Sequence, residues 1–130
     1  MIPQAPQGII IIIINIKTIV MEQMNRIELR GNVGNIRIAS VGDSKVANFS
    51  LATNYVYKTR DGQAVVETTW FNVVAWDGKY MPELELITKG APVTVIGRVR
   101  SVHFTGQDGI ERNSFEVIAS KITLEPMSEE

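Results

Sequence analysis

The sequence holds 130 residues with a formal net charge of −1, 45% hydrophobic and 21% charged residues. That is the make-up of one globular domain with enough chain to bury a core. It contains no cysteine and a single histidine, His103, which excludes a disulfide framework, thiolate chemistry, a Cys-based metal site and a histidine cluster within one chain. A cysteine-free chain is compatible with a reducing cytoplasm.

The N-terminal stretch MIPQAPQGIIIIIINIKTIV differs from the rest, with six consecutive isoleucines from Ile9 to Ile14. The run is too short for a membrane helix of ~20 apolar residues, and no positive charge precedes it as in a secretory signal. Residues 1–23 read as an upstream extension, with Met21 or Met24 starting the working protein. The rival reading is a β-forming segment that adds an edge strand, and an exposed, uncharged isoleucine run of that kind is aggregation-prone.

From Asn25 the pattern becomes regular. In NRIELRGNVGNIRIASV, Ile27, Leu29 and Val33 share one phase, and after Gly34 the apolar set shifts to Ile36 and Ile38. A phase change at glycine marks a bulge or bend in one long strand; the alternative is two strands split by a turn at Gly31–Gly34. No helical pattern follows these glycines, so they are not a dinucleotide-binding fingerprint. After the turn VGDSK, the second strand KVANFSLATNYVY points Ala47, Phe49 and Leu51 at the core. A turn at Asp61–Gly62 leads to the third strand, AVVETTWFNVVAW.

Both tryptophans lie on that third strand, Trp70 and Trp76, six residues apart and therefore on one face, with Phe71 and Val73 on the other. Asp77–Gly78 ends the strand. KYMPELELITKG is the one helical candidate: Pro82 suits a first turn, Gly90 a C-terminal stop, and Tyr80, Leu84 and Ile87 form an apolar stripe. The fourth strand, PVTVIGRVRSVHF, places Val93, Val95 and Val99 in one phase and Arg98, Arg100, Val102 and Phe104 in the other. TGQDG is a hairpin loop. The fifth strand, IERNSFEVIASKITL, offers Phe115, Val117 and Ala119 as a core set, and a short acidic tail, residues 125–130, ends the chain.

Three long strands, a short helix and two more strands favour closure into a small barrel. The expected fold is all-β, a five-stranded Greek-key OB barrel over residues 24–124 with one short helix between strands three and four. Charge is unevenly spread. Residues 24–104 carry ten Lys/Arg against seven Asp/Glu, a local +3, and residues 105–130 carry two against six, a local −4. No acid occurs from Leu86 to Gln107, while Lys89, Arg98 and Arg100 fall inside that stretch; such asymmetry points to a polyanion or to a chance gap on a solvated face.

The segments VANFSLATN, TTWFNVVAWDGK, LITKGAPVTVIGRVR and FEVIAS, in this order and spacing, resemble the bacterial single-stranded DNA-binding proteins from about Asn25 to Leu124. The resemblance implies an OB barrel, usually a homotetramer, that wraps single-stranded DNA without sequence preference in the cytoplasm, at the nucleoid, during replication, recombination or repair, with no cofactor and no membrane. Carried over by position, its base-stacking aromatics fall on Tyr57, Trp70, Trp76 and Phe104, and its basic positions on Lys79, Lys89, Arg100 and Arg112; Arg98 joins them from the strand pattern. Phe71-Asn72 stand where the family often has His-Arg, and Val102-His103 replace a more basic pair. The family's disordered region and partner-recruiting acidic tip are not matched, since the sequence closes on Ser128-Glu129-Glu130.

On this reading the tryptophans stack on bases and the arginines meet phosphates. A subunit interface, or cover by the N-terminal extension, is the other way to use two outward indoles. Tyr57 is in phase with Phe49 and Leu51, so either the second strand bends before Asn54 or its end emerges past the barrel rim; Tyr55 shares that ambiguity. Phe104 borders a loop and could pack the hairpin instead. Lys58 and Arg60 sit in a turn that could clamp a strand. Catalysis finds no support, because His103 has no Ser, Cys or acid around it in a triad-like constellation. The competing functions are an OB accessory factor of the primosomal type or a protein-binding module, and the choice between dimer and tetramer stays open.

Overall fold

The computed structural model describes residues 21–127; the isoleucine run and the terminal Ser128-Glu129-Glu130 lie outside the described residues. Five strands, β1 Ile27–Val41, β2 Ser44–Lys58, β3 Ala64–Trp76, β4 Pro92–Thr105 and β5 Glu111–Leu124, close into a barrel in the order β1-β2-β3-β5-β4. All neighbours are antiparallel except β3 and β5, whose parallel ladder is only two pairs long, Val73 with Val117 and Val74 with Ile118. This is the OB barrel that the alternation and the glycine bend predict.

Period-two alternation builds the core. Phe49 and Leu51 of β2, Val73 and Ala75 of β3, Val93 and Val95 of β4, and Val117 and Ala119 of β5 all point inward and are buried. At Gly34 the β1–β2 register slips between Val33 and Ile36, so β1 is one strand with a bulge. A second bulge, not foreseen, sits in β5, where Ile96 pairs with Lys121 but Gly97 with Ala119. The Ser120 hydroxyl donates to the Ile96 carbonyl there at 3.0 Å. This extra residue lets Ala119 and Ile122, three apart, both face the core.

The expected helix shrinks to a single 3-10 turn, Leu84–Leu86. Glu83 ahead of it is extended, with φ −59° and ψ 127°, and caps nothing with its side chain. Behind it, the Ile87 N–H closes the turn on the Leu84 carbonyl. A segment this short gains little from α-helical propagation, and the 3-10 repeat already brings i and i+3 to one side. Leu84 and Ile87 use that spacing to join the core, whereas Tyr80, expected on the same stripe, is exposed. The turn is fastened to the start of β2 by a Lys45–Glu85 ion pair of 2.7 Å.

Two hairpins outrun the barrel. β1 pairs with β2 no further than Ala52, so Thr53–Lys58 of β2 pair only with β3. β1 pairs with β4 no further than Gly97, so the remainder of β4 pairs only with β5. On these arms the inward phase of the strands no longer has a core to enter. Phe115, expected in the core beside Val117, is for this reason exposed.

Candidate nucleic-acid interface

Trp70 and Trp76 both lie on the outer face of β3, 60% and 44% exposed, and at a strand rise of ~3.3 Å they are about 20 Å apart. Trp76 sits opposite Val46 and Trp70 opposite Ala52. The Trp70 ring extends over β2 to β1, where the bulge glycine makes room for it. A β-carbon built on Gly34 would fall 2.8 Å from the indole Cζ3 and would also strike the Ser50 hydroxyl. Gly34 has no positive φ, so space rather than backbone conformation selects glycine here. The Ser50 hydroxyl also accepts the Asn35 N–H at 3.1 Å, holding the bulge in place.

The β4–β5 arm carries a second group of candidates. Arg98, Arg100 and Phe104 alternate on its outer face, and Phe104 stands directly across from Arg112. Phe104 is 46% exposed. Arg100 is engaged within the protein: its guanidinium donates to the cross-strand Glu116 carboxylate through Nε at 3.1 Å and also through Nη2. Arg112 is held by Asp108 at 2.7 Å across the hairpin loop, and the guanidinium, together with the Ile110 N–H, keeps the Asp108 carboxyl below its usual range. Among the described residues Arg98, Lys79 and Lys89 form no ion pair. Lys79 lies beside the Tyr80 ring, 5.5 Å from its centre. Lys89 occupies the turn whose Gly90 N–H bonds the Val33 carbonyl at 2.7 Å, one residue from the Trp70 seat.

Tyr57 resolves the ambiguity in its strand: β2 keeps an unbroken register with β3 as far as Lys58, past the last β1 pair at Ala52, so its end emerges from the barrel. Tyr57 is 43% exposed, and its ring centre lies 6.1 Å from that of the exposed Tyr55. The two tyrosines therefore present a tilted aromatic pair on the inward phase of the β2–β3 arm, while Trp70, Trp76 and Phe104 lie on the outward phase. Lys58 and Arg60 flank the tip of that arm and are exposed.

Three features escaped the sequence. Arg37 lines an open groove of about 570 Å³ across the outer face, with Asn48, Ser50, Asn72 and Glu116; its strict alternation with Ile36 and Ile38 was the available signal. Gly34 as the seat of an indole has no sequence signal beyond the bulge itself. Phe115 shares a smaller pocket with Trp70 between β3 and β5. Among the described residues no group of three His, Asp or Glu side chains could hold a metal ion, and no helix is long and apolar enough to cross a membrane.

Comparison with known proteins accords with this geometry. The single-stranded DNA-binding protein of Neisseria meningitidis is 31% identical over 106 residues, which span 78% of this chain and 59% of that protein. That of Xanthomonas axonopodis pv. citri is 33% identical over 104 residues, 78% of this chain and 57% of its own length. The chain thus spans less than two thirds of these relatives. Among solved structures, the Plasmodium falciparum SSB complex with ssDNA superposes with a TM-score of 0.66 at 27% identity, covering 83% of this chain and all of that one (100%). The model of the single-strand binding protein family matches residues 24–125, and the chain belongs to that family.

Proposed function

We propose that this protein binds single-stranded DNA without sequence preference, by stacking bases on Trp70, Trp76, Phe104 and Tyr57 and by meeting phosphates with Arg98, Arg100, Arg112, Lys79 and Lys89. It acts by binding rather than catalysis, and it shields the strand during replication, recombination or repair. The observation that carries the reading is the pair of exposed indoles on the outer face of β3. A large flat ring left open to water on a barrel wall suits an unpaired base, because every base offers a π face and a stack is worth ~1–3 kcal/mol. Cations around those rings supply the electrostatic part, and guanidinium groups can stack as well. Membership of the family supports assembly into a homo-oligomer, for which a tetramer is the proposed state.

The test is competition between poly-dT and duplex DNA, read by intrinsic tryptophan fluorescence. Stacking on Trp70 and Trp76 quenches emission with poly-dT and leaves it unchanged with duplex. A protein-binding module, or an accessory OB factor that does not touch DNA, gives no quench with either.

A further inference from the structure

The β2–β3 arm carries more apolar surface than its two strands can bury. Beyond Ala52, β2 has only β3 for a neighbour, and Tyr55, Val56, Tyr57 and Val66 are all exposed there. Tyr55 is the most open of the four, at 67%. Two residues of strand rise set side chains of one face ~6.6 Å apart. The Tyr55 and Tyr57 ring centres are 6.1 Å apart, with their planes 31° from parallel, so each ring stands over its own residue beside the other. An exposed apolar cluster of this kind marks a contact surface. At the tip of the arm, Lys58 and Arg60 form no ion pair among the described residues. The Asp61 carboxylate of the same turn accepts the Thr59 hydroxyl instead.

We infer that Tyr55 is a further base-stacking residue, which forms with Tyr57 a two-ring platform for consecutive bases of a bound single strand. The inference rests on the single-strand reading above and adds a residue and a course for the strand. Three observations choose the occupant. Tyr57 belongs to the stacking set already, and Tyr55 is the next ring on the same face, so the platform continues that surface. Rings beside uncommitted cations are the mixture an unpaired strand needs, with bases on the π faces and phosphates on the ammonium and guanidinium groups. A second copy of the chain fits less well, because a two-fold contact through this face would set Lys58 and Arg60 of one copy against the same cations of the other. Glu67 stands directly across from Tyr55 and turns phosphates away from that side, towards the tip. Trp70 faces the opposite side of the arm, so a strand that meets both the indole and the tyrosines turns round it.

The test is equilibrium binding of an oligo-dT to the wild type, Tyr55→Ala, Tyr55→Phe and Tyr55→Leu, with light scattering on each protein. Loss of a stack predicts affinity about 5- to 140-fold weaker for Tyr55→Ala. Tyr55→Phe should restore binding, and Tyr55→Leu, which keeps apolar bulk without a π face, should not. The slope of log K against log salt should keep its wild-type value, because no phosphate contact is lost. Photocrosslinking of the wild type to oligo-dT bearing 5-iodouracil should reach Tyr55, which keeps the inference testable if Tyr55→Ala does not fold. Wild-type affinity in Tyr55→Ala, full rescue by Tyr55→Leu, or crosslinks confined to other aromatics overturns the role of Tyr55 and leaves the general reading in place. A Tyr55→Ala variant that loses binding together with oligomer mass also overturns it, since the ring then fills a contact between copies of the chain. A wild type that ignores oligo-dT removes both.

Discussion

Gly34 lies directly beneath the indole of Trp70: a β-carbon at position 34 would stand 2.8 Å from Cζ3 of that ring. Contact this close cannot be met without moving the ring or the bulge. Gly34→Ala should therefore tilt Trp70 off the wall and weaken single-strand binding, with a Tm shift of only a few degrees. In a Trp70→Ala background the same change should cost little further affinity. A double-mutant cycle of oligo-dT affinities measures this coupling; additive effects of the two substitutions would separate Gly34 from the ring.

Asp108 competes with phosphate for Arg112. Asp108→Asn should strengthen oligo-dT binding severalfold at low salt and steepen its salt dependence, because a guanidinium is released. The carboxyl is held below its ordinary value of 3.8 by Arg112 first and by the Ile110 N–H second. A carboxyl with a lowered folded pKa stabilises the hairpin above its unfolded pKa, and that contribution is lost as pH falls through the lower, folded value. The protection factors of the Gly106–Ile110 loop amides, with intrinsic exchange divided out, should fall only as the pH drops below about 3.8, and Asp108→Asn should abolish this pH response.

Arg98 and Arg100 alternate on one face but differ in their commitments. Arg98 forms no ion pair among the described residues, whereas Arg100 is joined to Glu116. Arg98→Ala should lower the slope of log K against log salt by about 0.7, the value for one single-strand phosphate contact. Arg100→Ala should lower it by less, and Arg100→Ala with Glu116→Gln by no more than Arg98→Ala. Titrations at several salt concentrations measure all three.

Leu84 and Ile87 hold the 3-10 turn to the core at 2% and 1% exposure. Either truncated to alanine should destabilise the barrel by ~2–5 kcal/mol, the range for a large buried aliphatic side chain. Urea denaturation checks this, and Leu86→Ala, exposed on the same turn, should be nearly neutral.

Much of this molecule was legible because a barrel strand announces its faces. Val73 and Ala75 go in and Trp70 and Trp76 go out by period two alone, and Gly34 flags the β1 bulge by shifting the phase from Val33 to Ile36. Alternation says which face a residue takes but not where the barrel stops, so Phe115 shares the phase of a core that ends two residues away, at Val117. Apolar residues at positions 84 and 87 fit an α-helix and a 3-10 turn alike, and only the extended Glu83 decides. The engagement of Arg100 by Glu116 needs the β4–β5 register, which runs unbroken from Thr105–Glu111 at the hairpin loop and so depends on the loop's length rather than on any sign at either residue. The cationic candidates could be found in the sequence, but their internal partners could not.

The most direct measurement is the affinity of Trp70→Ala and Trp76→Ala for oligo-dT, with circular dichroism and Tm alongside. Each variant should keep the wild-type fold and bind ~1–3 kcal/mol more weakly. Wild-type affinity in both, with the fold intact, would contradict the assignment of the β3 indoles to base stacking.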